Sequence, residues 1–153
     1  MAKQQTTGAF WRFLLVLYGG IMLWLLFDRS NRWADGVPYW KQLQHNANLT
    51  PLRTIKNYLW ILKHPSTRYL RNQSIINLGG NVILFMPAGW LFPKVWPFLR
   101  KFFIFLAFCA GVILLVEITQ LFTMLGSFDV DDLLLNLAGM ILGFVLFKIS
   151  AKG

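Results

Sequence analysis

Three polar clusters interrupt the apolar stretches of this chain: Asn77 with Asn81, Glu117 with Gln120, and Asp129 with Asp132 and Asn136. Within each cluster the residues stand three or four apart, so each set shares one face of a helix. A carboxylate beside amides in such a place could bind a cation or hydroxyl of a ligand, or move a proton, wherever water reaches it. Glu117 is the most informative member. It lies about fifteen residues into an apolar segment, and at ~1.5 Å per residue that is still inside the far headgroup boundary. An ionisable group there costs ~2.5 kcal/mol or more unless it is paired or hydrated. Two readings stay open: a water-accessible site, and a buried hydrogen-bond network of Glu117 with Asn77, Asn81 and Asn136 that joins helices.

The elements that must position these groups are membrane spans. Of 153 residues, 56% are hydrophobic and 14% charged, beyond the apolar fraction of a soluble domain. Four segments, 11–27, 75–92, 102–125 and 132–149, approach the ~20 residues that a ~30 Å hydrocarbon core requires. Their apolar residues run all round rather than in a stripe, as in lipid-facing helices. The expected fold is therefore all-α, a single polytopic membrane domain. Lys3 and Arg12 at the start of the first segment also suit a secretory leader, but Asp28-Arg29-Ser30-Asn31-Arg32 offers no small-x-small cleavage pattern, so the segment reads as a retained anchor. Trp11, Trp24, Trp90 and Trp96 stand near span borders, where amphipathic rings settle at headgroup level. The lone Cys109 excludes an intrachain disulfide and a metal-type cysteine pair.

Alternating span direction brings the polar clusters to one membrane face. Asn77 and Asn81 begin span two, Glu117 and Gln120 end span three, and Asp132 and Asn136 begin span four. Asp129, Asp131 and Asp132 invite a hard-cation reading, but aspartates also cap helix N-termini, the role expected of Asp129. Asp132 continues one helix face through Asn136, Gly139 and Gly143 and so points at a neighbouring helix. Gly139 and Gly143 form a small-xxx-small pair that permits close packing, and Gly79, Gly80 and Gly89 offer the same in span two. Pro87 lacks the N–H that would bond Ile83 and should bend that span. No metal or cofactor site is assigned.

The connection from Asp28 to Ser74 holds eight of the fifteen Lys and Arg residues. Leu52, Ile55, Leu59 and Leu62 recur at helical spacing, with Arg53, Lys56, Asn57 and Lys63 on the other side, while Trp60 and Ile61 blur the boundary. An amphipathic interfacial helix over about 51–63 follows, with Thr50 as N-cap, Pro51 at the first helical position and His64-Pro65 as the stop. His45 and His64 have no partner at ligand spacing. The N-termini of spans two and four present N–H groups to the shared face, and Arg53, Lys56, Arg68 and Arg71 reach the same level, a setting that suits a phosphate-bearing headgroup. The alternative is a helix that only anchors the loop to anionic lipid. The short loop with Lys94, Arg100 and Lys101 places that side, and both termini, in the cytoplasm by the positive-inside rule.

Four blocks carry a resemblance: Asn48-Leu49-Thr50-Pro51-Leu52-Arg53-Thr54-Ile55; Asn77-Leu78-x-x-Asn81-x-x-x-Phe85-x-Pro87-x-Gly89-x-x-x-Pro93; Glu117-x-x-Gln120; and Ser127-Phe128-Asp129-Val130-Asp131-Asp132-x-x-x-Asn136-x-x-Gly139-x-x-x-Gly143. In this order, from Asn48 to Phe147, they resemble the VanZ-like family of bacterial membrane proteins. The resemblance implies an association with resistance to teicoplanin by a route other than remodelling the peptidoglycan precursor terminus. Members often carry an arginine before the aspartates; here Leu125-Gly126 stands in that place.

The reading that combines these features is a membrane protein whose extracytoplasmic face engages a lipid headgroup or lipid-linked envelope component, using Arg53 and the polar face, and so lowers glycopeptide susceptibility. The alternatives are a small intramembrane enzyme acting on a lipid phosphate or ester, and a transporter subunit. No catalytic triad, zinc motif, phosphate loop or nucleotide fingerprint is present. The net charge of +9 is accounted for by lipid contact, so no nucleic-acid partner is expected; homo-oligomerisation stays open.

Overall fold

The computed structural model describes residues 2–27 and 35–151, with side chains described from Gly8 onward. The stretch on which the missing cleavage pattern was read, Asp28 to Arg32, and the side chain of Lys3 lie outside the described residues. The element order is α1 (Ala2–Phe27), α2 (Tyr39–His45), β1 (Ala47–Asn48), α3 (Arg53–Lys63), α4 (Arg68–Val95), a 3-10 turn (Pro97–Arg100), α5 (Phe102–Thr123), β2 (Phe128–Asp129) and α6 (Val130–Ser150). Four of these helices, α1, α4, α5 and α6, are long and apolar enough to cross a membrane. The protein is an all-α polytopic membrane protein, and its amphipathic helix α3 lies in the long first connection.

The centre of the fold is the α4–α6 pair, two helices running in the same direction. A Cβ placed on Gly139 would collide with the carbonyl oxygen of Val82, one on Gly143 with that of Met86, and one on Gly89 with that of Met140. Only glycine allows the two backbones so close, and the gain is continuous dispersion contact without any side-chain entropy to lose. Gly79 and Gly80 do not contribute as expected, since a Cβ on either meets no other helix within 4 Å; both lie below the close approach, which begins at Val82. Around this seam pack Phe85, Phe105, Ile113, Met140 and Phe144, all buried, with Phe105 stacked on Phe144 at 4.5 Å between centroids.

α1 lies along α4, held by the Tyr18 hydroxyl donating to the Leu84 carbonyl oxygen at 2.7 Å and by Trp11 edge-on to Trp90. Lys94 sits over both indole rings at 4.3 and 4.2 Å, a cation–π clamp at the border level expected of these tryptophans.

Several boundaries differ from the sequence expectation. Span two is the upper part of a longer helix, which starts at Arg68 with Thr67 as N-cap, its hydroxyl accepting from the Leu70 N–H. The polar composition of residues 68–73 conceals these first turns from a hydropathy reading. The helix also runs through Pro87 and Pro93 to Val95. α3 starts at Arg53, and its N-cap position is Leu52 in the left-handed region, φ 64°, not Thr50. Its stop at His64 is as expected. The half-buried side carries Ile55, Tyr58, Ile61 and Leu62, whereas Leu59 and Trp60 are exposed beside Lys56 and Lys63. Leu59 and Trp60 therefore extend apolar surface away from the protein, into the same face as the lysines.

Candidate functional site

The first turn of α6 is the meeting point of the polar groups. Asp129 is its N-cap and accepts from the Asp131 N–H at 2.9 Å, the capping role expected of it. The same carboxylate accepts from Asn48 Nδ2 at 3.1 Å and from the Thr54 hydroxyl at 2.6 Å. Its backbone N–H donates to Glu117 Oε2 at 3.2 Å. Glu117 thus reaches across from the end of α5 and fixes the turn that leads into α6; only 4% of it is exposed.

Asp131, read from the sequence only as part of a carboxylate cluster, has a role that sequence reasoning missed. It is completely buried and projects out of α6 onto the start of α3. Oδ1 accepts from the Leu52 N–H at 2.5 Å, and Oδ2 from the N–H groups of Thr54 and Ile55 at 2.7 and 3.1 Å. The unsatisfied donors of the α3 N-terminus are thereby supplied with an acceptor from another helix, and its dipole compensates the buried charge. This explains how Leu52 can occupy a left-handed conformation that costs a non-glycine residue roughly 1–2 kcal/mol: the turn aims three N–H groups at one carboxylate. The expectation that helix N-termini on this face stand free for an external anion is corrected here. Those of α3 and α6 are occupied by the protein's own carboxylates, and that of α4 lies at Arg68, more than two turns before Asn77.

A second tie runs beside it. Ala47-Asn48 pairs in parallel with Phe128-Asp129, and the Phe128 N–H donates to the Asn46 carbonyl oxygen at 2.9 Å. The Tyr39 hydroxyl, at the start of α2, donates to the Phe122 carbonyl oxygen at 2.7 Å. Gly126 lies against Gln120, where a Cβ would come within 3.0 Å of that side chain. The long first connection is in this way stitched to the α5–α6 turn. Neither the short strand pair nor α2 was legible in the sequence, because two-residue strands leave no periodicity; the available signal was two polar blocks, 46–54 and 127–132, each lacking helical spacing and each needing hydrogen-bond partners.

Of the other predicted site residues, Asn81 donates to Asp132 Oδ1 at 2.7 Å, so Asp132 does face a neighbouring helix. Gln120 donates to the Leu26 carbonyl oxygen at 2.8 Å, binding the end of α1 to α5. Asn77 does not join its neighbours and instead donates to Gln73 in its own helix. Asn136 is buried, and its Oδ1 is the buried side-chain polar atom that has no hydrogen-bond partner among the described residues. Arg53 is exposed at the start of α3.

On the outer side of this scaffold lies a row of cations. Arg53, Lys56 and Lys63 are exposed on α3, where Lys56 and Lys63 flank a shallow groove formed with Leu59 and Trp60. Arg68 and Arg71 line a hollow of about 430 Å³ with Pro65, Ser66 and Thr67 at the first turn of α4. Guanidinium groups, a helix N-terminus and an adjacent apolar surface are the combination that phosphate-bearing amphiphiles meet well.

Protein VanZ of Enterococcus faecium is 28% identical over 144 residues, a match covering 92% of this chain and 75% of that protein. No solved structure matches the chain. The VanZ/LLP1 family model matches residues 13–151, which include most of α1, all of α4, α5 and α6 and the polar ties at the first turn of α6, and the chain belongs to the VanZ/LLP1 family.

Proposed function

We propose that this protein binds the headgroup of a lipid or lipid-linked envelope component at its extracytoplasmic face, and that this binding lowers susceptibility to glycopeptide antibiotics such as teicoplanin. The observation that carries the reading is the division of labour at the α3 N-terminus. Asp129 and Asp131 are turned inward and bonded, while Arg53, Lys56, Arg68 and Arg71 are exposed on the outer side. The polar face predicted from sequence serves in this account as the frame, and Arg53 with its basic neighbours as the contact surface. The short loop with Lys94, Arg100 and Lys101 lies on the opposite side, which under the positive-inside rule makes the termini cytoplasmic and α3 extracytoplasmic.

Recognition here is electrostatic and amphipathic. A phosphate at the membrane border would accept charge-assisted bonds from the arginines while Leu59 and Trp60 enter the acyl boundary. The competing reading, an intramembrane enzyme with Glu117 as general base, is less well supported, because Glu117 is buried and engaged with the Asp129 N–H.

The test is teicoplanin susceptibility of bacteria expressing wild type, Arg53→Gln/Lys56→Gln or Glu117→Gln, at matched membrane levels, together with retention of anionic lipid by the purified proteins. The double variant is expected to accumulate normally, lose most of the protection and hold less anionic lipid. Unchanged protection and lipid retention in that variant would sink it. Loss of protection in Glu117→Gln with full accumulation, an intact α3 and normal lipid binding would favour catalysis.

A further inference from the structure

A cleft of about 190 Å³ runs between α1 and α5 at hydrocarbon depth, lined on one side by Leu15, Tyr18, Gly19 and Leu23 and on the other by Val112 and Val116. Its floor is Phe85, Ala88 and Met140, each 5% exposed or less. Tyr18 turns its hydroxyl to the Leu84 carbonyl oxygen and leaves only its ring for the cleft. Leu23, on the rim, is 59% exposed, so the cleft reaches the lipid-facing surface. Apolar cavities of roughly 150 Å³ stay dry and accept hydrocarbon, and in a bilayer hydrocarbon is the surrounding solvent.

Length and end groups define the occupant. On the α1 wall, the part of the cleft from Leu15 to Met22 ends eleven residues past Trp11, about 16 Å at ~1.5 Å per residue and about half of a ~30 Å hydrocarbon core. That is the depth of one leaflet. At the Leu26 end, the Gln120 side chain bonds the Leu26 carbonyl oxygen and ties α1 to α5. One helical turn beyond the Leu15 end stand Trp11, Trp90 and the Lys94 ammonium, an aromatic and cationic group at headgroup level. We infer that the cleft seats one acyl chain of an anionic membrane phospholipid, whose headgroup lies at the level of Trp11, Trp90 and Lys94. This site is on the opposite side of the membrane from the cationic face of α3, and the two stand or fall separately.

Gly19 supplies a clean test. It lines the cleft, and a Cβ there meets nothing within 4 Å; its neighbour Gly20 also has open space but does not line the cleft. Full-length wild type, Gly19→Leu and Gly20→Leu are reconstituted in phosphatidylglycerol nanodiscs, released and weighed by native mass spectrometry. Wild type and Gly20→Leu are expected to retain one phosphatidylglycerol per protein, and Gly19→Leu to lose it at least fivefold. Equal retention in Gly19→Leu, equal loss in Gly20→Leu, no retained lipid in wild type, or a retained mass of detergent or free fatty acid would overturn the assignment. Val112→Phe fills the cleft from the opposite wall and decides the matter by the same criteria if Gly19→Leu fails to accumulate.

Discussion

The α4–α6 seam and the α6 first turn are neighbours on the same helix, yet they are held by opposite means. The seam is dry and steric: Gly139 and Gly143 meet carbonyl oxygens of Val82 and Met86 where no side chain fits. The turn is polar and directional: Asp129 and Asp131 accept from Asn48, Leu52, Thr54 and Ile55, residues about eighty positions earlier in the chain. The contrast separates two tasks. Close backbone contact fixes how spans cross but orients nothing outside the membrane, whereas a carboxylate aimed at backbone N–H groups fixes the rotation and tilt of α3 and therefore where Arg53 and Lys56 point.

The largest expected effect breaks the seam. Gly143→Leu puts a side chain into the Met86 carbonyl and the Trp90 and Gly89 backbone, so no folded protein should accumulate in membranes, as blotting and fluorescence-detected chromatography would report. Gly111→Ala, where a Cβ meets nothing, should accumulate normally. Recovery of folded Gly143→Leu at wild-type levels would show that the seam is not as tight as described.

Next comes the turn. Asp131→Asn keeps the volume but cannot accept three N–H bonds, and should weaken docking of α3 by about 2–3 kcal/mol, visible as protease cleavage within residues 46–56 while the spans stay intact. Resistance to cleavage equal to wild type would contradict the proposed anchoring. A smaller loss, about 1 kcal/mol, is expected for Asp129→Asn, which keeps a capping oxygen but weakens the bonds to Asn48 and Thr54; a loss exceeding that of Asp131→Asn would invert the ranking of the two carboxylates.

The smallest effect has the opposite sign. Asn136 Oδ1 is buried and unbonded, so Asn136→Leu should leave thermal stability equal or raised by about 1 kcal/mol. A clear drop in melting temperature would mean that the amide is part of the frame. Stability kept while antibiotic protection is lost would place Asn136 with the functional residues.

The parts legible in sequence were those that repeat or punctuate. Hydropathy located the spans, the spacing of Gly139 and Gly143 pointed to the seam, and alternating span direction put Glu117 and Asn81 at the membrane level of the aspartates, without saying which of them would pair. The role of Asp131 escaped because it depends on a segment about eighty residues away, and nothing local points to that segment. Thr50-Pro51 has the chemistry of a helix start, but the acceptor from α6 overrides that local preference and moves the start to Arg53. Asn77 has the right spacing to join the cluster, yet α4 begins so much earlier that its side chain has a carbonyl of its own helix in reach.

The central claim is that the Asp131 carboxylate holds the start of α3, and amide hydrogen exchange read by mass spectrometry tests it most directly. In Asp131→Asn, peptides covering residues 52–56 should lose protection while those covering 82–95 and 136–147 exchange as in wild type. Unchanged protection at 52–56, or an equal loss across the α4–α6 seam, would contradict the account.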